Sequence, residues 1–143
     1  MLLLVPAVLA GCGSGSHFAN RPRPPSPVNL SVYINDQRIS VSPSSVGAGP
    51  VDFIVTNQSS TAESLTVLPA GASAGPPLAD TGPISPQGTA QVTVNFNTPG
   101  AYTVAIAPRG LTQAAAATPT GIRSALLQIG APRPSASNQL LQP

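Results

Sequence analysis

Apolar and polar residues alternate through most of the chain between residues 28 and 130. Val28, Leu30, Val32 and Ile34 interleave with Asn29, Ser31, Tyr33 and Asn35. A period of two puts the two sets on opposite faces of an extended strand, so this segment predicts a half-buried strand. Asn35-Asp36 predicts a turn, and Arg38 to Ser42 continues the edge. Val51, Phe53 and Val55 define a second strand, closed by the turn-forming run Asn57-Gln58-Ser59-Ser60. Leu65 and Val67 mark a third, and Val92, Val94 and Phe96 a fourth, against Gln91, Thr93 and Asn95. Pro99-Gly100 turns the chain into Tyr102, Val104 and Ile106, and Ala125, Leu127 and Ile129 suit a last strand. Six or seven short strands over about 100 residues predict an all-β domain, an antiparallel Greek-key β-sandwich or barrel.

Two segments interrupt the alternation. Residues 69–88 are rich in Gly, Ala and Pro, with room for a short strand near Ile84. Residues 108–121 contain Ala114 to Ala117, enough for one or two helical turns between Gly110 and Pro119. Long connections of this kind often carry function. The chain has 143 residues with 18 Pro and 13 Gly, which favours short strands and turns over long helices. Only five side chains are aromatic (Phe18, Tyr33, Phe53, Phe96 and Tyr102), so the core must be built mainly from Val, Leu and Ile.

Charge excludes one class of partner. Only 7% of residues are charged, all six cations are Arg, and the net charge is +2. Arg21, Arg23 and Arg133 also fall in segments expected to be tails. No basic stripe with interleaved aromatics is present, so nucleic acid is not an expected partner.

The N-terminus points to a location. Leu2 to Leu9 is almost wholly apolar and leads into Leu9-Ala10-Gly11-Cys12, which holds the only cysteine. The run is far shorter than the about 20 residues a membrane-spanning helix needs, and it suits the apolar region of a signal peptide. Leu9-Ala10-Gly11-Cys12 resembles the lipobox of bacterial lipoproteins. The resemblance implies a signal peptide over residues 1–11, removed before Cys12, and a diacylglycerol on the Cys12 sulfur. No Lys or Arg precedes Cys12, where a signal peptide has its charged start, so the translation start is expected upstream of Met1. Two or more acyl chains give a stable anchor where a single chain is marginal. The implied location is the extracytoplasmic face of a cell membrane. With Cys12 committed to lipid, no intramolecular disulfide is available. Residues 12–27 then form a lipidated, Pro-rich linker ending in Arg21-Pro22-Arg23-Pro24-Pro25-Ser26-Pro27. Extended at about 3.1 Å per residue, it spaces the domain on the order of 40 Å from the membrane. The domain is expected over residues 28–131 and a disordered tail over residues 132–143.

Two stretches of the domain resemble cupredoxins, the small blue-copper sandwich proteins. One runs Phe53-Ile54-Val55-Thr56-Asn57 and then Glu63-Ser64-Leu65-Thr66-Val67. The other runs Gly82-Pro83-Ile84-Ser85-Pro86-Gln87-Gly88-Thr89, then Val92-Thr93-Val94-Asn95-Phe96 and Pro99-Gly100-Ala101-Tyr102-Thr103-Val104. The resemblance covers roughly residues 28–130, and Pro-Gly-x-Tyr is its most recognisable piece. An immunoglobulin domain shows similar alternation but has a Cys-Trp-Cys core, and this chain has no Trp and no second Cys. The resemblance implies the fold without its metal. A blue-copper centre needs two His and a Cys thiolate, with a weak axial ligand. Glu63 stands where the family has its first His, Ile106 where it has Cys, and the second His would fall near Arg109. The only Met is Met1 and the only His is His17, in the linker. No metal and no cofactor are therefore expected. In such a fold Glu63 and Arg109 converge at one end of the sandwich, where an ion pair in place of copper is expected; the alternative is two solvated loop charges.

No enzyme motif emerges. Nucleophilic hydrolysis needs a base beside Ser or Cys, and the one His lies in the linker. Asp36, Asp52, Glu63 and Asp80 form no adjacent acidic pair, and the Gly-rich run from Gly71 to Gly75 lacks the Lys of a phosphate-binding loop. The expected function is a non-catalytic binding or scaffolding module, anchored to the membrane through Cys12 and facing an unidentified protein or cell-envelope partner. Its expected contact surface is the loop end, residues 57–64, 69–88 and 107–122. The alternative is an accessory in copper or redox homeostasis with an atypical metal site.

Overall fold

The computed structural model describes residues 24–72, 75–107 and 121–134. These form eight strands: β1 Val28–Ile34, β2 Ile39–Ser42, β3 Ser45–Asn57, β4 Glu63–Pro69, β5 Ala79–Ile84, β6 Thr89–Phe96, β7 Gly100–Ile106 and β8 Ala125–Pro132. The all-β architecture agrees with the alternation. The expected lipidation residue Cys12, the linker up to residue 23, His17, Arg109, the alanine run at 114–117 and the tail from residue 135 lie outside the described residues.

The strands form two packed layers. In one, β1 pairs with β2 and β3, and β3 pairs with β6. In the other, the order is β8-β7-β4-β5, with every pairing antiparallel. β3 belongs to both layers. Residues 49–56 pair with β6, and residues 45–48 pair with β8. Two pairings, β1 with β3 and β3 with β8, are parallel. Each parallel pair joins strands separated by other chain segments, as a crossover requires.

The alternating residues face inward as expected. Leu30, Val32 and Ile34 of β1, Val51, Phe53 and Val55 of β3, and Val94 and Phe96 of β6 line one inner face. Leu65, Val67, Val104, Leu127 and Ile129 line the other. Each buried side chain of this size contributes about 1.5–3 kcal/mol. The few aromatics bridge the layers. Phe96 meets Phe53 edge-on at 6.1 Å between ring centroids and Tyr102 of the opposite layer at 4.7 Å. The Tyr102 hydroxyl donates to the Thr98 carbonyl at 2.8 Å, which closes the β6–β7 turn around Pro99-Gly100. Gly100 has φ +150°, a backbone that L side chains rarely adopt.

β3 is longer than its apolar pattern suggests because it turns a corner. Ala48 is buried, and so are Val51, Phe53 and Val55, so the inward parity changes across Gly49-Pro50. Gly49 supplies the change with φ +133°. A Cβ there would lie 2.8 Å from Arg133 Nη2 and 2.9 Å from Pro25 Cγ.

Arg133 corrects one expectation. Rather than lying in a tail beyond residue 131, it is bound across this corner, and β8 runs to Pro132. Its N–H donates to Ala48 O at 3.0 Å, Nε to Gly47 O at 3.1 Å, Nη1 to Ser26 O at 2.8 Å, and Nη2 to Pro50 O. A guanidinium offers five donors in a fixed fork, enough to satisfy several carbonyls where the strand leaves one ladder for the other.

Candidate functional site

One end of the sandwich gathers the β1–β2 turn, the β3–β4 loop, the β5–β6 turn and the exit of β7. Asn57, the last residue of β3, organises it. Its side chain is fully buried. Nδ2 donates to Thr61 O and to Ile84 O, both at 2.8 Å. Oδ1 accepts from Ser59 N at 2.9 Å and Ser59 Oγ at 2.6 Å. The Asn57 backbone N–H donates to Gly88 O at 2.9 Å, and its carbonyl accepts from Gln87 N at 2.7 Å. Every polar group of Asn57 is therefore satisfied, which is what burial of an amide demands.

Two further links tie the β3–β4 loop to the β1–β2 turn. Asp36 Oδ1 accepts from Ser60 N at 2.8 Å and Ser60 Oγ at 2.9 Å. The backbone bond first, and the hydroxyl second, hold the Asp36 carboxyl below its ordinary value. The Tyr33 hydroxyl donates to Gln58 Oε1 at 2.5 Å, and Gln58 N donates to Ile34 O at 2.8 Å. Asn35 shapes the turn itself, its Oδ1 accepting from Gln37 N and Arg38 N at 2.9 Å each, an Asx turn where Asn35-Asp36 predicts one.

Glu63 opens β4 at this end and is 2% exposed. The alternative of a solvated loop charge is thus corrected at Glu63. Thr61 Oγ1 donates to Glu63 Oε1 at 2.6 Å. In the β4–β7 ladder Leu65 stands opposite Ile106, and Ala107 N donates to Ser64 O at 2.7 Å. The chain leaving β7 is therefore held beside the start of β4, next to Glu63. Arg109, the expected partner, lies outside the described residues, as does Cys12.

The donors at this end do not suit type 1 copper. Ile106, which the sequence resemblance sets at the family's Cys, is a buried aliphatic side chain. Glu63, which the resemblance sets at the family's first His, offers a hard oxygen rather than an imidazole nitrogen. Among the described residues no three His, Cys, Asp or Glu side chains lie together as a metal site requires. The chain's single His and single Cys both precede residue 24. Among the described residues no helix is long and apolar enough to cross a membrane.

The sequence pattern predicts only a turn over 57–60, not the loop network around Asn57 and Ser59. Its signal was present, because Asn followed two residues later by Ser is the pattern of an Asx turn. That the amide also reaches Ile84, 27 residues away, has no local signal.

No family model matches the chain, and no curated protein sequence matches it. Solved structures do. A reduced auracyanin from the photosynthetic bacterium Roseiflexus castenholzii superposes with a TM-score of 0.51 at 15% identity, over 74% of this chain and 98% of its own. Auracyanin A, a "blue" copper protein from Chloroflexus aurantiacus, gives 0.50 at 16% identity, over 73% of this chain and 100% of its own. The likeness is one of fold: the domain is a cupredoxin-like β-sandwich.

Proposed function

We propose that this chain is a lipid-anchored, extracytoplasmic β-sandwich that binds or scaffolds a protein or polymer of the cell envelope, without catalysis and without copper. The observation that carries the reading is the loop end. There a carboxylate, Glu63, and an aliphatic, Ile106, are both buried, and the cupredoxin resemblance sets them at two ligand positions. Around them Asn57, Ser59, Ser60 and Asp36 hold the loops in one hydrogen-bonded arrangement. A rigid loop surface lowers the ordering cost of association. Residues 57–64 and 84–88, with 107–122 following the exit of β7, are the proposed contact surface, with Glu63 paired to Arg109 within it. The connection that leaves Pro69, expected in the same surface, starts at the opposite end of β4, where Pro69 stands beside Tyr102 and Ala70 N donates to Ala101 O. Leu9-Ala10-Gly11-Cys12 supports the anchor, the membrane being reached through lipid on Cys12.

The anchor is tested by the intact mass of the natively expressed protein extracted from membranes. A chain beginning at Cys12 with added lipid mass is expected. An unlipidated chain that retains Met1 overturns the anchor. Titration with Cu(I) and Cu(II) tests the copper-free site. No tight stoichiometric binding and no thiolate-to-copper absorption are expected, and tight binding favours a role in copper homeostasis instead.

A further inference from the structure

β6 is the one strand of the described residues with a long, regular and unguarded edge. It pairs with β3 over eight positions without a register shift, and no other described strand is hydrogen-bonded to its far side. The other edges are guarded. β5 is broken by a register shift, by Gly82 at φ +65°, by Pro83 and by an Asp80 Oδ1 bond from Gly82 N. β2 is four residues long, and Ile39 N–H donates to Arg123 O. Bulges, prolines and short strands are ways in which folds block stray strand pairing. β6 has none of them, nor any charge: its sequence is Thr-Ala-Gln-Val-Thr-Val-Asn-Phe.

The ladder tells which backbone groups face away. Asn57 N–H donates to Gly88 O, so the hydrogen-bonded positions of the β3–β6 pair include 88 and, by alternation, Ala90, Val92, Val94 and Phe96. The N–H and C=O groups of Thr89, Gln91, Thr93 and Asn95 therefore point away from β3. Their side chains are exposed. A row of spaced amide donors and acceptors is met most fully by another extended strand.

We propose that the β6 edge pairs with β6 of a second copy of this chain, antiparallel about a twofold axis at Thr93. In that register Thr93 faces Thr93, Gln91 faces Asn95, and Val92 faces Val94. Each pair shares a face of the sheet, because the sums of the paired positions are even. Thr–Thr pairs and amide side chains are favourable across strands, and no like charges meet. Asp52, beside Thr93 in the ladder, accepts from Thr93 Oγ1 at 2.5 Å and is thereby held on its own strand. The self-complementary sequence selects a second copy over an unrelated peptide, since an isologous interface needs one patch to match itself. Edge pairing covers little area, so the dimer is concentration-dependent. The proposal uses only β3 and β6, and stands independently of the anchor and of the loop-end surface.

The test is sedimentation-equilibrium mass together with hydrogen exchange on the full chain over a wide concentration range. A twofold rise in mass is expected as concentration rises. Amide protection should rise with it at Gln91, Thr93 and Asn95, while Ala90, Val92 and Val94, already bonded to β3, stay protected throughout. Thr93→Lys puts like charges face to face in the pair, yet in a single chain the ammonium sits beside Asp52. It should stay monomeric with an unchanged circular dichroism spectrum, whereas Thr93→Ser should still dimerise. A chain of single mass at every concentration with fast exchange at the three outward amides overturns the proposal. So does a dimer that survives Thr93→Lys, or protection of those amides in a monomer.

Discussion

Asn57 shows how one side chain can hold two separate segments in place. Its amide satisfies the β3–β4 loop through Thr61 and Ser59, and reaches the end of β5 through Ile84. Asn57→Ala removes both donors and the acceptor and leaves the Ile84 carbonyl without its amide partner. The expected cost is about 2 kcal/mol in urea-unfolding free energy. Asp36 acts at the same scale with a pH signature. Its folded value is lowered by the Ser60 bonds. A lowered carboxyl contributes stability above the unfolded value, about 3.9 for Asp. That contribution disappears as pH falls through the lower folded value. The difference in unfolding midpoint between the native chain and Asp36→Asn should therefore shrink as pH falls below about 4. A difference that grows on acidification contradicts the Asp36–Ser60 link.

Among the elements, β3 carries the most structural consequence. Its first residues belong to one layer and its last to the other, and Gly49 makes the change of inward parity possible. Gly49→Val sets a branched side chain in a left-handed backbone against Arg133 and Pro25. A loss of about 2 kcal/mol or more is expected from strain of this kind. Arg133→Ala, tested by the same chemical denaturation, should cost about 1.5–3 kcal/mol, the range for hydrogen bonds to a charged donor. The predicted strands at 28–34, 51–55, 65–67, 92–96, 102–106 and 125–129 are present because each has a consistent inward face. Residues 45–50 were not legible as strand. Val46 and Ala48 face inward on one parity and Val51 on the other, so no single alternation spans the corner. The role of Arg133 is hidden from the sequence for a related reason. Its partners are carbonyls 83 to 107 residues away, and a carbonyl leaves no mark on a sequence.

At the scale of the whole molecule, the two layers close over a core with few aromatic rings. Phe96 joins them by touching Phe53 in its own layer and Tyr102 in the other. Phe96→Ala should destabilise by about 3–5 kcal/mol, read from the denaturation midpoint. The amino-acid sequence by itself determined the inward residues, the Pro99-Gly100-x-Tyr102 turn and the shortage of copper donors. A period of two records which side each residue faces, and a ligand type that is missing cannot be restored by folding. Only the tertiary structure decided the parallel pairing of β3 with β1 and β8, the passage of β3 between layers, the Arg133 clasp and the burial of Glu63. Those depend on which distant segments lie side by side, and alternation describes a strand's two faces while saying nothing of its two edges.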